Sequence, residues 1–201
     1  MIASYHRPLG HGPAWICPSH PTSDAATLET SATGPCQPER MNAIPSVGEL
    51  APEFQLHDDE GRPHRLSDRR GHFTVVYFYP ADDTPGCTKE ACSFRDNDAA
   101  FKEADTEVWG LSPQGPASKA AFRAKYGLPF TLLADENHAV AESYAAWGEK
   151  KNYGKTYWGI VRSSFLVGPD GRIARVWPRV KPEDHAVEVL AALREVRATL
   201  A

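Results

Sequence analysis

Residues 72–92 read HFTVVYFYPADDTPGCTKEAC, and the fold turns on how this stretch divides. His72 to Tyr79 is β-branched or aromatic at almost every position, the composition of a strand, and Pro80 ends it. An apolar strand without alternation belongs at the centre of a sheet covered on both faces. After the loop ADDTPG, Cys87 to Ala104 carries Ala91, Phe94 and Phe101 at helical spacing.

Upstream, Leu50 to Leu56 reads as a short strand, turned at Gly61-Arg62 towards a second near Arg65. Downstream, Glu107 to Leu111 reads as a strand and Pro116 to Tyr126 as a helix opened by proline. Phe130 to Leu133 is a further strand. His138 to Trp147 follows as a helix with Val140, Tyr144 and Trp147 on one face. Ser164–Val167 and Ile173–Trp177 flank Gly168-Pro169-Asp170-Gly171, a hairpin signal. Pro182 then starts a last helix with the stripe Ala186, Val189, Leu190, Leu193 and Arg197. Strands alternating with helices, then a closing hairpin and helix, predict an α/β fold with a mixed central β-sheet flanked by helices.

Of the 201 residues, 41% are hydrophobic, enough for a core without disulfide staples. A formal net charge of −4 argues against a nucleic-acid binder held by phosphate neutralisation and leaves no polybasic patch for a membrane surface. No apolar run approaches the ~20 residues that a bilayer requires. A cytoplasmic, monomeric protein is expected. Residues 1–43 read as a disordered extension before a domain over residues 44–201, because the first forty hold six prolines and no apolar periodicity. They lack the apolar core of a secretory signal, and with only Arg7 and Arg40 as basic residues they make a poor transit peptide. Globular sequence starts just after Met41, so Met41 is read as an alternative initiator with residues 1–40 as upstream coding sequence.

Cysteine here points to chemistry more than architecture, since four in 201 residues is far below a disulfide scaffold. Cys87 and Cys92 could be two buried core thiols. Their spacing is neither the C-x-x-C of a dithiol oxidoreductase nor that of most zinc sites. Cys87 follows Pro85-Gly86 in the first turn of a helix, where unpaired N–H groups and the helix dipole favour a thiolate. Thr84 stands three residues upstream, its hydroxyl able to donate to that thiolate or to an oxygen beside it. A low-pKa, accessible thiol with a second cysteine nearby suits peroxide chemistry. Five residues along an ideal helix place the two Cα atoms about 8.6 Å apart, beyond the ~7 Å limit for a disulfide. If the two bridge, the first helical turns must unwind.

The run Pro80-Ala81-Asp82-Asp83-Thr84-Pro85-Gly86-Cys87 resembles the P-x-x-x-T-x-x-C signature of peroxiredoxins. The longer YFYPADDTPGCTKEACSFRD is similar to the peroxiredoxin Q branch, also called bacterioferritin comigratory protein. KKNYGKTYWGIVRSSFLVGPDG resembles that branch's segment carrying an active-site arginine, here Arg162. The likeness runs from about Ser46 to Val196; Ser164 stands where the family often has Thr, and Ser93 where it often has Asp. It implies a thioredoxin-like fold and a thiol peroxidase without metal, haem or flavin cofactor. Cys87 resembles the peroxidatic cysteine, and Thr84 and Arg162 the pair that orients peroxide. Pro80 resembles the residue that shields the thiolate. Arg162 is read on a strand beside an apolar run. Cys92 resembles the resolving cysteine of members that form an intramolecular disulfide. The implied partners are hydrogen peroxide, organic hydroperoxides and a thioredoxin- or glutaredoxin-type reductant.

Glu90 is left open between a pair with Arg162 or Lys89 and a solvated helix face. His6, His11, Cys17, His20 and Cys36 are too irregularly spaced for a metal site, and Cys17 and Cys36 inherit no role from the resemblance. His57, His64, His72, His138 and His185 read as solvated or partly packed. The alternative enzyme, a protein disulfide reductase, lacks its C-x-x-C. A peroxide sensor, redox relay or holdase would need the same thiol.

Overall fold

The computed structural model describes residues 43–152 and 154–200. The expectations for Cys17, Cys36 and the Met41 start lie outside the described residues. In chain order come β1 (Gln55–Asp58), β2 (Pro63–Arg65), a 3-10 turn (Leu66–Arg69), β3 (Phe73–Phe78), α1 (Pro85–Asp96) and α2 (Asp98–Glu103). Then follow β4 (Thr106–Ser112), α3 (Pro116–Tyr126), β5 (Thr131–Ala134), α4 (Ala139–Ser143), β6 (Trp147–Asn152) and β7 (Lys155–Ile160). The described chain closes with β8 (Ser163–Val167), β9 (Ile173–Trp177) and α5 (His185–Leu200).

The central sheet has the order β2-β1-β5-β4-β3-β8-β9, with β6 and β7 as a separate hairpin. β3 runs parallel to β4 and antiparallel to β8, so the sheet is mixed, as expected. Every residue of β3 is buried, and successive side chains serve opposite cores. Phe73, Val75 and Tyr77 join Phe94, Phe101, Phe122 and Leu190 on one face. Val76 and Phe78 join Trp109, Tyr144 and Phe165 on the other. Each fully buried side chain of this size contributes about 1.5–3 kcal/mol. Opposite Tyr77 on β4 stands Gly110, where a Cβ would lie 2.6 Å from the Tyr77 ring. That absent side chain lets Tyr77 stack on Phe94 at 4.8 Å between ring centroids.

Several expected boundaries move. Leu50 makes only an isolated bridge to Arg172, and the strand starts at Gln55. The helix expected from Cys87 to Ala104 breaks at Asn97, whose side-chain amide donates to the Ser93 carbonyl at 2.8 Å. Asn offers the backbone such local alternatives to a continuous helix. The helix expected over His138–Trp147 is only five residues long, because Ala145 takes a left-handed φ of 52°. Trp147 instead opens the β6–β7 hairpin, which the polar KKNYGK did not announce. α5 begins at His185, after Asp184 at φ 60°, rather than at Pro182. By contrast, α3 spans the expected residues and ends on Gly127 in the left-handed region.

Candidate active site

The site lies at the C-terminal end of β3, where the chain leaves the sheet and turns into α1. Pro80 is half-buried at that exit. Asp83 takes a left-handed φ of 55°, a conformation that Asp tolerates better than most side chains, and Thr84 caps α1 from an extended backbone. Pro85 is the first helical residue, so Cys87 is the third. The first helical N–H bonded back to the cap is that of Thr88, to the Thr84 carbonyl at 2.8 Å. The Gly86 and Cys87 amides precede it and have no partner within the helix.

Cys87 is 2% exposed, less accessible than expected, because it lies on the inward stripe Cys87, Glu90, Ala91, Phe94 of α1. Cys92 falls off that stripe and is half-buried; both thiols are free. Arg162 Nη2 donates to Cys87 Sγ at 3.1 Å, and Nη1 donates to the Glu90 carboxylate. The guanidinium lies over the first turn of α1, 3.4 Å from where a Gly86 Cβ would stand. Arg162 sits not within a strand but in the two-residue link between β7 and β8. Burial opposes its charge, yet Glu90 and Cys87 together raise its pKa.

Glu90 is fully buried and paired with Arg162, which closes the choice that its sequence position left open. Burial lifts its carboxyl to about 7 against the pull of the guanidinium, and its Oε1 has no hydrogen-bond partner. The buried stripe at i, i+3, i+4 and i+7 was a signal in the sequence that Glu90 faces inwards. The Thr84 hydroxyl donates to the Ala81 carbonyl at 3.1 Å rather than to the thiol, which leaves its lone pairs and a short rotation for other partners.

Sequence reasoning passes over a second polar cluster. Lys119 is fully buried, 3.1 Å from Asp82 and from the Tyr79 hydroxyl, and bonded to Ser112. Its place three residues before the buried Phe122 marked it as inward-facing. His185, expected to be solvated or partly packed, is fully buried and 2.8 Å from the Ser164 hydroxyl, edge-on to Phe94 and Trp177. Burial lowers its pKa. Among the described residues, no group of three His, Cys, Asp or Glu side chains converges as metal ligands would, and no helix is long and apolar enough to cross a membrane.

Residues 47–176 match the AhpC/TSA family. The chain is 45% identical over 150 residues to peroxiredoxin Bcp of Bacillus subtilis, covering 75% of this chain and 96% of that one. Against peroxiredoxin Bcp of Escherichia coli K12 it is 45% identical over 155 residues, 77% of this chain and 99% of the relative. Among solved structures, the bacterioferritin comigratory protein of Xanthomonas campestris, described for its alkyl peroxide reduction activity, superposes with a TM-score of 0.70 at 35% identity. That match covers 75% of this chain and 98% of the other. Xylella fastidiosa PrxQ superposes with a TM-score of 0.72 at 31% identity, over 79% of this chain and 99% of that one. With relatives matched over nearly their whole length and the fold in common, the chain belongs to the AhpC/TSA family, in its Bcp or peroxiredoxin Q branch of thiol peroxidases.

Proposed function

We propose that Cys87 is the peroxidatic thiol of this peroxidase, and that Arg162 and Thr84 orient the peroxide at it. The observation that carries the reading is the 3.1 Å contact from Arg162 Nη2 to the Cys87 sulfur, at the third position of α1. The thiolate attacks one oxygen of ROOH. An S–O bond forms, the O–O bond breaks, and the departing RO⁻ leaves as ROH after taking a proton. Arg162 supports the step because its planar fork holds the thiolate with one nitrogen and remains cationic as charge moves to the leaving oxygen. The Thr84 hydroxyl, one rotation from its bond to Ala81, supplies a second donor, and Pro80 screens the thiolate from water.

The sulfenic acid at Cys87 then condenses with the Cys92 thiol, forming S–S and releasing water. An external dithiol of the thioredoxin or glutaredoxin type reduces that bond by exchange. Substrates are hydrogen peroxide and organic hydroperoxides. A cycle that ends in dithiol exchange requires a reducing compartment, which supports the cytoplasm.

Cys87→Ser and Cys92→Ser separate the two roles. With peroxide and a recycling dithiol, Cys87→Ser has no turnover, and intact mass shows neither oxygen addition nor a disulfide. Cys92→Ser still takes up one oxygen at Cys87 but lingers as sulfenic acid. At high peroxide it passes to the sulfinic state, since no thiol is at hand to condense with the first oxidation product. Turnover surviving in Cys87→Ser, or full-rate cycling of Cys92→Ser, overturns the respective assignment. Many cycles per molecule in the parent distinguish a peroxidase from a sensor that is oxidised once.

A further inference from the structure

The loop that carries Thr84 and leads to Cys87 is anchored from below by a charge that the proposed chemistry does not use. Asp82, five residues before Cys87, has a side chain only 3% exposed and accepts from Tyr79 OH at 2.6 Å and Ser118 Oγ at 2.6 Å. Lys119 reaches the same carboxylate at 3.1 Å from α3 with no exposure of its own. One residue on, Asp83 takes Lys125 at 2.6 Å and the Tyr126 hydroxyl, both again from α3. The loop between β3 and α1 is therefore held to α3 at two consecutive carboxylates, one buried and one at the surface. A buried ion pair is often no more stable than an apolar replacement, which leaves room for a role other than stability.

We propose that Lys119 is a positioning residue for Cys87: through Asp82 it clamps the loop that caps α1, and it neutralises a carboxylate that the loop would otherwise hold near the thiolate. The proposal rests on Cys87 being the reacting thiol. Arg162 contacts Cys87 from the β7–β8 link and joins it to Glu90 of α1, while Tyr77 of β3, Lys150 of β6 and Lys119 of α3 lie within electrostatic range of the sulfur. Burial lowers the Lys119 pKa, while the charges of Asp82 and Cys87 oppose that shift, so its ammonium lies within the field of the thiolate. Lys119→Met keeps an unbranched side chain, one atom shorter and uncharged, and strands the Asp82 carboxylate without its cation. The displaced loop then misplaces Thr84 and Cys87 relative to Arg162, and small displacements at a reacting centre are costly.

The test uses the full chain in a Cys92→Ser background, where a single oxidation of Cys87 is read by stopped-flow, and iodoacetamide alkylation of Cys87 is followed against pH. In Lys119→Met, oxidation by hydrogen peroxide slows by about tenfold or more, and the midpoint of the alkylation profile rises. If that variant does not fold, Lys119→Met/Asp82→Asn is decisive. It removes both charges together and loses the clamp, and its oxidation slows similarly. A folded variant whose oxidation rate stays within about twofold of the parent overturns the proposal. So does a slower Lys119→Met whose alkylation midpoint has not moved, because a general structural loss would look like that. Failure of the parent reading is distinguishable, since it would show as turnover in Cys87→Ser whatever the Lys119 variants do.

Discussion

At Glu90, burial and the Arg162 guanidinium pull the carboxyl in opposite directions, burial prevails, and the group titrates at about 7. Between its ordinary value of 4.5 and 7, the folded chain holds a proton that the unfolded chain has lost. The associated stability is fully present below about 4.5 and is lost as pH rises through 7. Urea unfolding of the parent and Glu90→Gln at about pH 5 and pH 8 should therefore differ in slope: on the order of 2–3 kcal/mol of the parent's pH dependence disappears in the variant. Identical pH dependence in both proteins would show that Glu90 titrates normally. Arg162 faces the same pocket with a different demand. Arg162→Lys keeps the charge but cannot hold Cys87 and Glu90 with two nitrogens at once, and the second-order rate with peroxide should fall roughly a hundredfold. An unchanged rate removes Arg162 from the mechanism. The motif resemblance pointed to Cys87, Thr84 and Arg162, but it left Glu90 open and passed over Lys119. Helical spacing marks both as inward-facing but does not name their partners, which come from distant parts of the chain.

For α1 the question is whether the element survives its own chemistry. Cys87 and Cys92 lie in one regular helix, Pro85–Asp96, so the separation of about 8.6 Å between their Cα atoms applies and a disulfide requires the first turns to melt. Oxidation should speed hydrogen exchange across residues 87–94, and a dithiol should slow it again, while β3 stays protected. A disulfide proven by mass with exchange unchanged in this segment would show that the bridge forms without unwinding. The elements themselves were unevenly legible. α3 and β3 announce themselves through proline, glycine and a continuous apolar run. The β6–β7 hairpin does not, since its outward residues are polar or exposed aromatics such as Trp158 at 63% exposure, and no alternation betrays it. α1 and α2 read as one helix because Ala91, Phe94 and Phe101 keep their period across the break at Asn97.

At the scale of the whole molecule, one sheet separates two cores. Leu111 on β4 and Leu166 on β8 are both fully buried, on opposite faces and on either side of β3. Leu111→Ala and Leu166→Ala should each cost about 2–5 kcal/mol. Sharing no core, the two losses should add to within ~0.5 kcal/mol in the double variant, read by denaturant unfolding. A larger deviation would mean that strain crosses the sheet. What the sequence by itself determined is the alternation of strands and helices, the buried central strand and the thiol at a helix start, because local composition, proline and periodicity act over a few residues. What only the tertiary structure decided is which charges meet. Pairing of β8 with β3 brings the link at Arg162 over α1, 75 residues along the chain from Cys87, and Lys119 reaches Asp82 only after β4 has paired with β3 and α3 has folded back. Such contacts depend on the register of a sheet between distant segments, which no local pattern encodes.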